Sequence, residues 1–175
     1  MRLMDPYRPE GWHDFFLATA GAAAGLTGLL FVAMSLHMRY IATDMYYRNL
    51  ARGSLVGLVS VLVVSLIVLV NQPASWAGVE VVVFAVLFMV AEGRFDAVSY
   101  RRLGGAQARA TLIRSGVGAL LALAGLIGGL TITLQAGPGL YAIALVSIAV
   151  TAWNLLNAWT LLIGVTDEEV AQPAH

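Results

Sequence analysis

The chain reads as an all-α, polytopic helical membrane bundle with five transmembrane helices. Three observations carry that expectation. Hydrophobic residues fill 59% of the 175 positions and charged residues only 11%, against about 45–50% and about 25% in globular domains. Mean hydropathy is +0.81. Five uncharged or nearly uncharged stretches, at 15–36, 53–70, 76–91, 115–134 and 140–165, hold more than half of the chain. A helix needs about 20 apolar residues, at about 1.5 Å each, to cross a hydrocarbon core of roughly 30 Å. No connection is long enough to fold separately, so the expected unit is a single membrane domain over 1–175.

The expected spans are approximately 15–38, 46–70, 75–92, 113–135 and 140–165, with cytoplasmic loops at 39–45 and 93–112. In the first, Ala18-Thr19-Ala20 resembles a signal-peptidase site. Such a site ends an apolar run of roughly 7–15 residues, whereas this one lies near the start of its run, so the helix is retained. Thr43-Asp44 offers a cap for the second helix, and Arg48 and Arg52 extend from its first turns toward lipid headgroups. The third span is the shortest and carries Glu80; Ser75 is its expected cap, and it continues past the membrane through Glu92 and Asp96 toward Tyr100. A four-span alternative lays this stretch in the interface. Pro73 and Pro138 mark the two short turns, between the second and third and between the fourth and fifth spans, as helix breaks. Trp12, Trp76, Tyr141 and Trp159 lie near span ends, where amphipathic rings prefer to sit.

Charge orients the bundle. With five spans, the side holding the N-terminus and the turns 71–75 and 136–139 carries Arg2 and Arg8 alone. The other side carries Arg39, Arg48, Arg52, Arg94, Arg101, Arg102, Arg109 and Arg114. Cytoplasmic segments collect Arg, so the expected topology in the cell inner membrane has the N-terminus outside and the C-terminus inside.

Several functions drop out. There is no Cys, hence no disulfide, thiolate metal site or cysteine nucleophile. The net charge is zero, which leaves no basic surplus for nucleic acid. His13, His37 and His175 do not converge on a metal, and no nucleotide or hydrolase motif occurs. No enzyme and no cofactor is expected.

What remains is packing and polarity. Ala18, Gly21, Gly25, Gly28, Val32 and Ser35 recur at spacings of 3 and 4 along the first helix, as do Thr111, Ser115, Gly118, Ala122, Gly125 and Gly129 along the fourth. Small residues let helices approach closely in lipid, so these seams pack inside the bundle or against a neighbouring subunit. The segments 22–30 and 122–130 also match letter for letter at Ala, Gly and Leu positions, as an inverted repeat would, but the match stops at the flanks.

Glu80 is an ionisable group inside a span, and such a group is a functional candidate unless it merely reaches the interface. Glu92 and Asp96 share a face and invite ion pairing with the surrounding Arg. Ser147, Thr151 and Asn154, with Asn157, draw a polar stripe along the fifth span; interhelical bonding or an ion path accounts for it. Arg94, Arg101, Arg102 and Arg109 are candidate contacts for anionic lipid or a partner. The leading expectation is a homo-oligomer forming a conduction or transport path for a small ion through Glu80, Asn154, Asn157, Glu92 and Asp96. The rival is a non-conducting scaffold or accessory subunit that docks a membrane protein partner.

Overall fold

The computed structural model is all-helical over its described residues, 5–100 and 105–171; side chains are described except at 39, 40, 96–108, 110, 162 and from 164 onward. A 3-10 turn, Pro9–Trp12, leads into α1 (His13–Leu36). Then follow α2 (Met38–Thr43), α3 (Met45–Leu69), α4 (Ala74–Tyr100), α5 (Gly105–Thr133) and α6 (Leu140–Ala171). Five of these helices are long and apolar enough to cross a membrane, including the one in α4. The chain is therefore a multi-pass membrane protein in architecture.

The helix ends follow local chemistry. Asp44 is extended and its carboxylate accepts the Tyr46 backbone N–H at 2.6 Å, capping α3 as expected. The expected cap at Ser75 is corrected. Helix α4 begins one residue earlier, and the carbonyl of Pro73 accepts from the N–H groups of Trp76 and Ala77, which leaves Ser75 inside the first turn. The expected loop 39–45 is mostly the short helix α2, and the expected loop 93–112 shrinks because α4 and α5 both run on past the apolar stretch.

Helix α1 lies chiefly on α3, α3 also packs on α6, and α4 pairs most closely with α5, which closes on α6. Two apolar clusters hold the ends. At the N-terminal end Trp12, Phe16, Val68, Val81, Ile132, Leu140 and Ile143 are buried together. At the opposite end Leu30, Ile41, Leu50, Leu58 and Leu161 form the second cluster. The N-terminal segment is tied to the α5–α6 turn: Tyr7 Oη donates to the Gly137 carbonyl at 2.6 Å and Leu140 N–H to the Pro6 carbonyl at 2.9 Å. Gly139 sits at φ +53°, in the left-handed region, and a side chain there would strike Pro6 and Tyr7.

The small-residue seams behave differently from one another. Gly78 and Gly129 meet where α4 crosses α5. A Cβ on Gly78 would lie 2.7 Å from the Thr133 backbone nitrogen and 2.8 Å from the Gly129 carbonyl oxygen. Gly128 likewise admits Ile143 of α6. By contrast Gly21, Gly25 and Gly28 have open space where a Cβ would stand, so of the two expected placements the one inside the bundle is not seen at these glycines. Helix α1 turns Phe16, Ala20, Ala23 and Leu30 inward. At about 100° per residue, the glycine stripe then lies on the opposite face.

Gly78→Ala is therefore expected to lower the stability of the purified protein by about 1–3 kcal/mol, the usual cost of overpacking. Gly21→Ala should stay within about 0.5 kcal/mol of the parent, as surface changes do. Thermal unfolding in detergent measures both; equal losses would place the glycine face of α1 in an internal contact.

Candidate functional site

Helices α3, α4, α5 and α6 enclose a cleft of about 280 Å³. Helix α3 lines it at helical spacing with Tyr46, Asn49, Gly53, Ser54, Gly57 and Ser60, and α6 with Val146, Ser147, Val150, Asn154 and Asn157. The other walls are apolar along Phe84, Ala85 and Phe88 of α4 and Leu121 and Ala122 of α5, and polar or charged at Glu92 of α4 and at Thr111, Arg114 and Ser115 of α5. At one end its lining includes Val64, Val81 and Ile143, which belong to, or pack on, the cluster of Trp12, Phe16 and Leu140.

At mid-depth Asn154 crosses the gap to α3. Its amide fills the space where Gly57 lacks a side chain, and its Nδ2 donates to the Val150 carbonyl at 2.8 Å. The polar contact depends on Gly57, because any Cβ at that position would overlap the amide. Ser54 is 1% exposed and Asn157 is buried beside the same wall. The Asn49 Nδ2 and the Ser54 hydroxyl have no hydrogen-bond partner among the described residues. An unmade buried bond of this kind costs roughly 1–3 kcal/mol; the Ser65 hydroxyl, outside the cleft lining, is in the same state.

The mouth is charged. Arg52 of α3 makes two bonds to Glu92 of α4, Nη2 to Oε1 at 2.8 Å and Nη1 to Oε2 at 3.2 Å. Its guanidinium carbon stands 3.5 Å from the centre of the Phe95 ring. The side chains are 33% and 22% exposed. This pair bridges α3 and α4, which touch least among the four neighbouring pairs around the cleft. Arg114 of α5 reaches the Tyr46 ring of α3 at 5.3 Å, a second link across the opening.

Of the residues singled out in the sequence, Asn154, Asn157 and Glu92 come together on the cleft wall, and Gly118 and Gly125 line it too. Glu80 does not. It is exposed at the α3–α4 turn, where Gln72 Nε2 donates to its Oε2 at 2.9 Å. Arg94 and Arg109 are exposed. The side chains of Asp96, Arg101 and Arg102 lie outside the described residues. Arg52, expected to extend toward the headgroups, is paired with Glu92. Sequence reasoning missed Asn49, Ser54, Gly57 and Arg114. The signal was present, since small and polar residues recur at spacings of three and four from Tyr46 to Ser60.

Because the chain has no Cys, a single cysteine at Ser54 reports access to the cleft. Glu92→Gln weakens the α3–α4 bridge by an amount between the roughly 0–1 kcal/mol of an exposed pair and the roughly 3–5 of a buried one. Labelling of Ser54→Cys by a water-soluble maleimide is expected to speed up about tenfold in the Glu92→Gln background, which corresponds to about 1.4 kcal/mol. An unchanged rate would mean that the pair does not hold the seam. No protein-family model, curated protein or solved structure significantly matches the chain.

Proposed function

We propose that the protein self-associates in the cell inner membrane and moves a small ion through the α3–α6 cleft. The single observation that carries this reading is a cleft between the spans with amides and hydroxyls from α3 and α6 and an ion pair among its lining residues. A charge in hydrocarbon needs such partners, and groups of this type are rare in spans without a role. The buried cluster of Trp12, Phe16 and Ile143 adjoins the cleft, so on this reading passage to the N-terminal end requires it to part. The Arg bias in the sequence favours a cytoplasmic mouth with the C-terminus inside, and Arg94, Arg101, Arg102 and Arg109 then face anionic lipid.

One observation favours the scaffold reading beside it. The face of α1 bearing Gly21, Gly25 and Gly28 is open along its length, and close helix approach is what such faces permit. The same face serves self-association or a different membrane protein partner. The mass of the complex in detergent separates them, and Gly25→Leu is expected to reduce whichever association is found.

Reconstituted protein is expected to pass a small ion across liposomes, and Asn154→Leu to cut that flux at least about tenfold through loss of an interaction worth about 1.4 kcal/mol. Glu80→Gln should leave flux within about twofold, since Glu80 stands outside the cleft. Absence of flux for every small cation and anion tried would remove the transport reading and leave the scaffold.

A further inference from the structure

We infer that the guest of the cleft is an amphiphilic monoanion, a carboxylate carried on a short apolar body; this names the ion for the path proposed above and rests on that reading. Charge is the first ground. The ionisable side chains described on the cleft wall are Arg52, Glu92 and Arg114. Both Glu92 oxygens are taken by Arg52, so those charges cancel locally. Arg114 makes no ion pair among the described residues and rests over the Tyr46 ring. Among the described residues the wall thus carries one positive charge without a carboxylate partner, and a cation would meet it with no free carboxylate among them to receive it.

The second ground is the set of unmet groups. Asn49 lies three residues beyond Tyr46 on the same face of α3, and Ser54 lies one further turn in. The Asn49 amide nitrogen and the Ser54 hydroxyl are buried without partners among the described residues. An amide NH2 only donates, and a serine hydroxyl donates as readily as it accepts. A guanidinium followed by these groups matches a carboxylate better than any cation. Beyond them the cleft is lined by Phe84, Phe88, Leu121 and Val150, which accept a hydrocarbon or aromatic body.

Size and access set the remaining terms. At about 280 Å³ the space stands at the lower edge of small-molecule sites, about 300–1,000 Å³. It suits one short chain or ring, and excludes a two-chain lipid. A guest of this chemistry enters either from water at the Arg114 end or from the bilayer through the α3–α4 seam, and the carboxylate is held the same way in both cases.

The test uses the full chain in nanodiscs with radiolabelled octanoate, read by scintillation proximity against empty discs. Saturable binding is expected, weakened about tenfold by Arg114→Gln, the scale of one lost charge-assisted contact. Arg114→Lys should retain most of it, and Ser54→Ala should weaken it a few-fold. Octyltrimethylammonium and octanol should compete poorly. Competition by benzoate would mark entry from water, and competition only by chain-bearing acids would mark entry from the bilayer. Equal competition by the ammonium analogue, or octanoate binding indifferent to Arg114→Gln, would overturn the inference. The two claims fail separately: octanoate bound with no flux sinks the transport path and keeps the anion site, whereas flux of a cation with no octanoate binding keeps the path and sinks the anion.

Discussion

Lipid removes the force that ordinarily pulls helices together, because hydrocarbon solvates a leucine as well as another leucine does. Association then depends on close contact and on polar groups that find one another, and the arrangement here follows from where those two are available. Helices α4 and α5 meet at Gly78 and Gly129, where backbones touch. Helices α3 and α6 meet at Gly57, where the absent side chain admits an asparagine. Between α3 and α4 the contact is sparser, and the charged Arg52–Glu92 pair bridges it. The cleft is the space that these unequal contacts leave.

This constraint also decides what a sequence reader sees. Five spans, the Asp44 cap and the breaks at Pro73 and Pro138 were legible because length, hydropathy and turn chemistry are local properties. The inward face of each helix was not. In a soluble bundle polar residues mark the outside, whereas here lipid and protein interior are equally apolar, so the sequence left the glycine stripe of α1 free to face inward or outward, and it lies on the open side. Helix α2 was hidden because six residues carry too little pattern. Of the site, Asn154, Asn157 and Glu92 stood out as polar letters in apolar runs. Gly57 and Ser54 did not, since a glycine's meaning lies in the residue opposite and a serine is unremarkable in a membrane helix.

Glu80 and Glu92 show how depth and partner change one side chain's meaning. Glu80 sits four residues past Trp76, which is 63% exposed near the start of α4, and a neighbouring glutamine within the same turn region satisfies it. Its position asks little of the fold. Glu92 lies three turns further along and reaches a different helix, where a bidentate guanidinium fixes it. A pair that is only partly shielded gains less than its Coulomb energy suggests, because water still screens it. It can therefore open at modest cost, which a seam meant to admit a guest requires.

The polar stripe of α6 must likewise be divided before any of it is given a role. Asn154 is already spoken for, since one donor goes to its own helix and the amide wedges against Gly57. Removing it would disturb the α3–α6 contact even in a protein that binds nothing. Thr151 bonds back to the Ser147 carbonyl and is satisfied within its own turn. Asn49 and Ser54 stand differently, because their polar atoms are withdrawn from water yet bonded to nothing among the described residues. Replacement by an apolar residue of similar size would relieve the penalty at each of them. Ser65 carries the same unmet hydroxyl outside the cleft, so it is the position of Asn49 and Ser54 on the wall that Arg114 overlooks, and not the missing bond alone, that sets them apart.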